Sequence, residues 1–217
     1  MKFADNGRPM AFLRLWTALA FLLLLSPGIS PARAADPAPD PAARQIEMFY
    51  SVLIDTMKQG QQLGLQGRYR QMSPAVREAF DLPAMAQLSV GPAWQMLSEA
   101  DRKRITDAFE RMTIANYAAN FAGFSGQKFT VDPMVKMRND EKIVESKLMS
   151  GSSTVPFNYR MHLAPDGKWK IVDIYLNGYV SQLAVRRSDF AATIASSGAA
   201  GLVKKIDDLV EKQMAGQ

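Results

Sequence analysis

The sequence predicts an α+β fold in which a curved, four-stranded antiparallel sheet is covered by helices from the N-terminal and C-terminal parts of the chain. Two patterns support this prediction. Apolar side chains recur at spacings of three and four before residue 122 and after residue 178, which is the period of a helix with one apolar face. Between residues 128 and 177 the spacing changes to two, the period of a strand. The helices and strands are therefore segregated along the chain.

A cleavable secretory signal peptide is predicted over residues 1–34. Basic residues precede an apolar run of 11 residues, 15–25, and the small-residue motif Ala32-Arg33-Ala34 follows it. The run is shorter than the roughly 20 residues that a membrane-spanning helix needs, although an uncleaved anchor is the alternative. We expect cleavage after Ala34 and a periplasmic location for the mature chain.

The mature chain is predicted to contain a Pro-rich leader, residues 35–41, and one domain, residues 42–217. Loss of the signal peptide would leave 22 basic and 20 acidic side chains, without the positive excess that nucleic-acid binding requires. The chain has no cysteine, so neither disulfides nor thiolate chemistry is available to it. We therefore expect no nucleic-acid partner and a core that is stable without cross-links.

The N-terminal helices begin with an amphipathic segment near Ala42. One face of this segment carries Ile46, Phe49, Tyr50, Leu53 and Met57. Ser73-Pro74 and Leu82-Pro83 each place a proline where a first helical turn accepts it, so both predict the start of a short helix, with Ser73 as an N-cap.

A long helix is predicted from Ser98 to about Phe121. Ser98 and Asp101 resemble a capping box at its start. The inner stripe of this helix contains Ile105, Phe109, Met112 and Asn116. Two closing helices, 179–196 and 199–214, are predicted on either side of Gly198.

Four strands are predicted at residues 128–137, 142–150, 154–164 and 168–177. The third alternates most clearly, because Val155, Phe157, Tyr159, Met161 and Leu163 share one side. Asp166-Gly167 lies between the third and fourth strands, and this dipeptide favours a type I′ hairpin turn.

Residues that could carry catalysis or bind a metal are scarce. His162 is the only histidine, and the alternation places it on the polar side of the third strand, where we expect it to be solvated. Ser125 lies in Gly-Phe-Ser-Gly, which lacks the second glycine of a nucleophile elbow. Zinc would need cysteine or several histidines. We expect no catalytic residues, no metal site and no cofactor, and thus a protein that is not an enzyme.

The segment from Asp166 to Phe190 resembles the closing part of the MlaC and toluene-tolerance family of periplasmic lipid-binding proteins. The similar features are a Gly-x-Trp strand, a strand end carried by Val172, Asp173 and Gly178, and an Arg-x-x-Phe helix start ending at Phe190. Through VDIYLNGYVSQLAVRRSDF the chain looks most like the hopanoid-associated branch, HpnM. A weaker resemblance runs from about Ile46 to Met214.

This resemblance implies an apolar cavity between the sheet and the helices that holds lipid tails. The predicted lining residues are Phe49, Leu53, Met57, Met112, Val155, Phe157, Tyr159, Met161, Val172 and Ile174. Their methionines suit an adaptable cavity, and the alternative is that they simply fill the core. Arg186, Arg187 and Asp173 are predicted to contact a head group or a partner, although Asp173 could instead pair with one of the two arginines.

The resulting hypothesis is a soluble periplasmic carrier that moves a phospholipid or a hopanoid between membranes. The resemblance implies transient membrane contact and an inner-membrane partner, an ABC-type transporter for the phospholipid branch or an RND-type exporter for the hopanoid branch. A periplasmic accessory subunit that binds no free ligand is the alternative. A lipid hydrolase is a third hypothesis, without a recognisable catalytic motif to support it.

Overall fold

The computed structural model describes residues 38–216, so the predicted signal peptide and the first three residues of the predicted leader, 35–37, lie outside the described residues. Helices come first, a sheet follows, and a helical segment closes the described chain. Its elements are α1 (Pro41–Lys58), α2 (Gly60–Ala79), α3 (Leu82–Val90), a 3-10 turn (Gly91–Met96), α4 (Glu99–Asn120), β1 (Lys128–Val131), β2 (Lys136–Arg138), β3 (Glu141–Ser150), β4 (Ser153–Leu163), β5 (Trp169–Leu176), β6 (Val180–Ser181) and α5 (Gln182–Met214).

The described sheet is antiparallel and has six strands, so the prediction of four was wrong. Its order is β1-β3-β4-β5-β6, and β2 also pairs with β3. The predicted first strand is divided into β1 and β2 by a segment that contains Pro133, which has no N–H for the ladder. β6 is a two-residue strand that pairs with the end of β5.

The type I′ turn lies at Asn177-Gly178 rather than at Asp166-Gly167. Asn177 and Gly178 both have positive φ, 56° and 82°, as this turn requires. Around Asp166, only Gly167 has a positive φ, and its N–H donates to the Ala164 carbonyl at 2.9 Å. The centre of that turn is therefore Pro165-Asp166, one residue earlier than predicted.

A β-bulge at Val172 changes which side chains of β5 share a face. Met161 pairs with Ile171, whereas Arg160 pairs with Asp173, so Val172 is an extra residue in β5. Ile174 is paired with Tyr159. Ile171 and Ile174 thus both lie opposite core residues of β4. Asp173 lies opposite Arg160 instead, although strict alternation along β5 would place it on the same face as Ile171.

Two of the three predicted helix starts are confirmed. The Asp81 side chain accepts a hydrogen bond from the Ala84 N–H at 2.9 Å and caps α3, and Ser98 accepts one from the Asp101 N–H at 3.1 Å and caps α4. Ser73 does not start a helix. It lies inside α2, where its hydroxyl donates back to the Tyr69 carbonyl at 2.7 Å.

The closing segment is a helical hairpin, as the two predicted helices require. α5 is interrupted at Gly198, which has φ 66° and ψ −169°. Lys205 contacts both Asp189 and Thr193, so the first half of α5 (residues 182–197) lies alongside the second half (residues 199–214). The chain reverses direction at Gly198, a conformation that glycine adopts without steric cost.

The core lies between the sheet and the helices and is centred on Phe49, of which 2% is exposed. Its ring meets Phe80 and Tyr117 edge-on, at centroid distances of 5.3 and 5.0 Å. Next to it the Tyr50 hydroxyl contacts the hydroxyls of Ser146 at 2.6 Å and Tyr159 at 2.9 Å. These bonds give buried polar atoms the partners they need and connect α1 to β3 and β4.

This tyrosine cluster predicts a loss of stability at alkaline pH. Burial raises the pKa of Tyr50 to about 12 and raises the pKa of Tyr117 and Tyr159 above the ordinary value of 10. The unfolded chain releases these protons first. The free energy of unfolding should therefore fall above pH ~10, by up to about 1.4 kcal/mol per pH unit for each tyrosine.

Denaturant titrations between pH 8 and pH ~11.5 would measure this slope. Tyr159→Phe should make it shallower, because one raised pKa is removed. Tyr179→Phe is the control, because 78% of Tyr179 is exposed. Equal slopes for the wild type and Tyr159→Phe would contradict the prediction.

Candidate functional site

An apolar pocket of about 250 Å³ lies between the sheet and the helices, on the side of the core away from α1. Nine of its lining side chains are aliphatic or aromatic, and they come from β4, β5, α3, α4, the start of α5 and the residues that follow α2 and α4. They are Phe80, Met85, Phe109, Tyr117, Phe121, Phe157, Ile174, Leu176 and Leu183. The pocket is thus suited to an apolar ligand.

The polar lining residues form two rows on facing helices. Thr113, Asn116 and Asn120 follow one another along α4, and Gln182 and Arg186 are one turn apart at the start of α5. Apart from Thr113, these side chains are half-buried or exposed, whereas Phe80, Met85, Phe109 and Leu183 are buried. The polar rows therefore mark the solvent-facing end of the pocket.

Arg186 is the only charged residue of the pocket lining. Within the described part of the chain, no carboxylate forms a salt bridge with it. Asp189 is the acid whose charge affects the pKa of Arg186, and Asp189 already forms a salt bridge with Lys205. Burial lowers the pKa of Arg186, but a guanidinium keeps its proton in proteins. The pocket thus contains a positive charge that no described carboxylate bridges directly.

Asp173 attaches the first half of α5 to the sheet. Only 3% of the residue is exposed. Its carboxylate accepts hydrogen bonds from the Ile174 N–H at 2.8 Å, the Leu183 N–H at 3.1 Å and the Ser181 hydroxyl at 2.6 Å. The expected pairing with Arg186 or Arg187 was wrong, because the tight turn at Asn177-Gly178 brings the helix N-terminus, not the arginines, to this carboxylate.

Arg186 and Arg187, adjacent in sequence, have different surroundings. Arg186 lines the pocket, whereas the Arg187 side chain packs over Gly91. A Cβ atom at Gly91 would lie 2.8 Å from the Arg187 Nε, and Gly91 has a φ of +74°. The exposed Arg187 side chain can move aside, so it is the positive φ that favours a glycine at this position.

The structure divides the predicted lining residues into two groups. Phe157 and Ile174 line the pocket. The others lie elsewhere, because α1 and α4 pack directly on that part of the sheet: Phe49, Leu53, Met57, Met112, Tyr159 and Met161 belong to the packed core, Val172 is buried at the bulge, and Val155 is half-buried. Their contact with a lipid stays a prediction.

Several pocket residues were not predicted as site residues. Phe109 and Asn116 belong to the inner stripe that the periodicity of α4 had already marked, so a signal for them was present. Leu183 is part of the apolar periodicity that follows residue 178, whereas Phe80 and Met85 gave no such signal. Each lies beside a helix boundary, where the direction of the side chain depends on how the helix packs.

His162 is partly exposed, with 30% of its side chain accessible, but it is paired rather than free, and it lies outside the pocket lining. Its Nε2 is 2.7 Å from the Asp81 carboxylate, the same group that caps α3.

Residues 38–216 contain no group of three metal-ligating side chains. Among these residues there is also no helix with the length and apolar character to span a membrane.

Comparison with known proteins gives the family. A family model described as MlaC protein matches residues 49–208. The chain belongs to the MlaC family. No curated protein sequence matches this MlaC-family chain. Its fold is similar to that of a phospholipid-binding protein from Ralstonia solanacearum, solved in complex with a phospholipid, with a TM-score of 0.70 and 22% identity over 79% of this chain and 98% of the other.

The attachment of α5 by Asp173 can be tested by substitution. Asp173→Ala would leave the buried N–H groups of Ile174 and Leu183 without their acceptor and should lower the free energy of unfolding by about 1.5–3 kcal/mol. Asp173→Asn keeps one carbonyl oxygen and should cost less. Denaturant unfolding measures both, and hydrogen exchange over residues 182–190 should be faster in Asp173→Ala.

Asp140→Ala is the matched control, because Asp140 is exposed in the β2–β3 turn. Its effect should stay within about 0.5 kcal/mol. A similar result for Asp173→Ala would show that the carboxylate does not hold the helix.

Proposed function

We propose that this protein is a periplasmic carrier that holds the apolar part of a phospholipid in the pocket and moves the lipid between membranes. The observation that carries the proposal is the pocket itself, which has an aromatic and aliphatic interior and a polar rim on α4 and α5. Membership of the MlaC family supports it. The phospholipid bound to the similarly folded Ralstonia protein supports the choice of ligand.

A carrier must replace the favourable burial that the acyl chains of a lipid have in the bilayer. Each buried methylene contributes about 0.8 kcal/mol, so two sixteen-carbon chains contribute on the order of 25 kcal/mol. The pocket, about 250 Å³, is below the roughly 300–1,000 Å³ of typical ligand pockets. Two acyl chains therefore require it to widen.

The first half of α5 is the wall that we expect to move. Leu183 and Phe190 are its only buried residues among residues 182–197. It is joined to the second half through Gly198, which has open space on its side-chain side. Few apolar contacts would be lost if this half swung away from α3 and α4, so widening is inexpensive in free energy.

Hopanoid is the alternative ligand, and the proposed inner-membrane partner is an ABC-type or RND-type transporter reached through transient membrane contact. The alternative function, a periplasmic accessory subunit, predicts a protein that binds no free lipid. Native mass spectrometry of gently purified mature protein separates the two functions. A carrier should retain a lipid, which extraction would identify, whereas an accessory subunit should be empty.

Filling the pocket should reduce lipid binding. Leu176 lines the pocket near the end of β5, and Leu176→Trp would place an indole in it. We expect bound lipid to fall at least about fivefold, because the ring would occupy space that the acyl chains need, while the cost in stability stays within about 1–3 kcal/mol. Lipid extraction followed by mass spectrometry measures the bound fraction.

Leu163→Trp is the matched control, since Leu163 ends the neighbouring strand, is 55% exposed and lies outside the pocket lining. It should bind as much lipid as the wild type. Equal lipid in both variants would place the ligand elsewhere.

Export can be tested separately. A full-length chain expressed in a Gram-negative bacterium should be recovered from the periplasmic fraction, and its mass should be that of a chain whose first residue is Ala35. Retention of Met1 in a membrane fraction would contradict the proposed cleavage.

A further inference from the structure

The pocket lining carries one positive charge and no negative charge. Arg186 is its only ionised side chain, and Thr113, Asn116, Asn120 and Gln182 are neutral. Asp189, which follows it by three residues, is bonded to Lys205 across the α5 hairpin. The structure thus leaves a guanidinium beside an apolar space with no salt-bridge partner among the described residues, since Asp189, the acid whose charge acts on it, is paired with Lys205.

Such an arrangement costs free energy in the empty protein. A charge partly withdrawn from water without a salt-bridge partner is destabilising, and the lowered pKa of the half-buried Arg186 has the same cause, namely desolvation by burial. A helix side chain of this length could be replaced by glutamine or methionine without leaving a void. A ligand that brings a negative charge would compensate for the loss of hydration.

The neighbouring side chains complete a site for oxygen atoms. Gln182 lies one turn before Arg186 on α5, and Asn116 and Asn120 face the same pocket from α4. The Asn116 oxygen already accepts a hydrogen bond from Gln213, which leaves its NH₂ group to donate. A guanidinium can bind two phosphate oxygens at once, and amide donors can bind the remaining ones.

We propose that Arg186 makes the pocket selective for an amphiphile with an anionic phosphate over a neutral amphiphile with the same apolar part. This rests on the proposed function, because the apolar part must occupy the pocket first. A neutral polycyclic lipid would bury the guanidinium without a counter-charge. The inference therefore favours a phospholipid over a neutral hopanoid.

The test is a competition between two lipids that differ only in the phosphate. Delipidated mature protein is incubated with neutral-lipid vesicles that contain equal amounts of dioleoyl phosphatidate and dioleoylglycerol, and the lipids recovered with the protein are quantified. We expect the wild type to take up phosphatidate in at least about tenfold excess, which corresponds to about 1.4 kcal/mol. Arg186→Gln should bring the ratio close to one while the amount of bound dioleoylglycerol changes less than about twofold.

Arg187→Gln is the matched control, because it removes the same charge from the adjacent residue, which packs on Gly91 outside the pocket lining. It should keep the wild-type ratio. Arg186→Lys retains a charge but not the paired donors and should give an intermediate ratio. Without lipid, Arg186→Gln should unfold at the same temperature as the wild type or higher, because it removes a desolvated charge.

The remaining outcomes are distinct. Equal uptake of both lipids by the wild type, or an unchanged ratio in Arg186→Gln, would overturn the inference but leave the carrier function intact. Failure of the wild type to bind either lipid would overturn the carrier function itself. Millimolar inorganic phosphate alone should not raise the unfolding temperature of the wild type, and a rise equal to that caused by phosphatidate would show a free-anion site instead.

Discussion

The hydrogen bonds of Asp173 hold the sheet and the closing hairpin together. A short turn at Asn177-Gly178 returns the chain so that Ser181 and Leu183 reach this carboxylate, which lies on β5. The first half of α5 then has a fixed starting point. Because this half provides Gln182, Leu183 and Arg186, one wall of the pocket depends on that single buried acid.

The apolar face of the sheet is used in two ways. Where α1 covers it, aromatic rings and the hydrogen-bonded hydroxyls of Tyr50, Ser146 and Tyr159 form a buried cluster. Where the start of α5 covers it, the packing is incomplete and a pocket remains. The methionines reflect the same division, since Met57, Met112 and Met161 fill the core while Met85 lines the pocket.

Stability and binding oppose each other at the pocket. A guanidinium without a carboxylate partner and a helix with few buried side chains both weaken the empty protein. Both features favour binding of a charged lipid, because the guanidinium can pair with the anion and the loosely packed helix can move to widen the pocket. Weak packing beside a pocket that carries a charge is typical of a binding site rather than of a structural defect.

The sequence by itself determined the fold class, the helix starts at Leu82-Pro83 and Ser98, the break at Gly198 and the resemblance to the MlaC family, because each follows from local periodicity, capping or turn chemistry. Only the tertiary structure decided which side chains meet. The Val172 bulge changed the face of Asp173, α1 placed Phe49 and Leu53 in the core, and helix packing separated Arg186 from Arg187. Sequence periodicity assigns a residue to a face of its own element, but what lies opposite that face is set by elements distant in the chain.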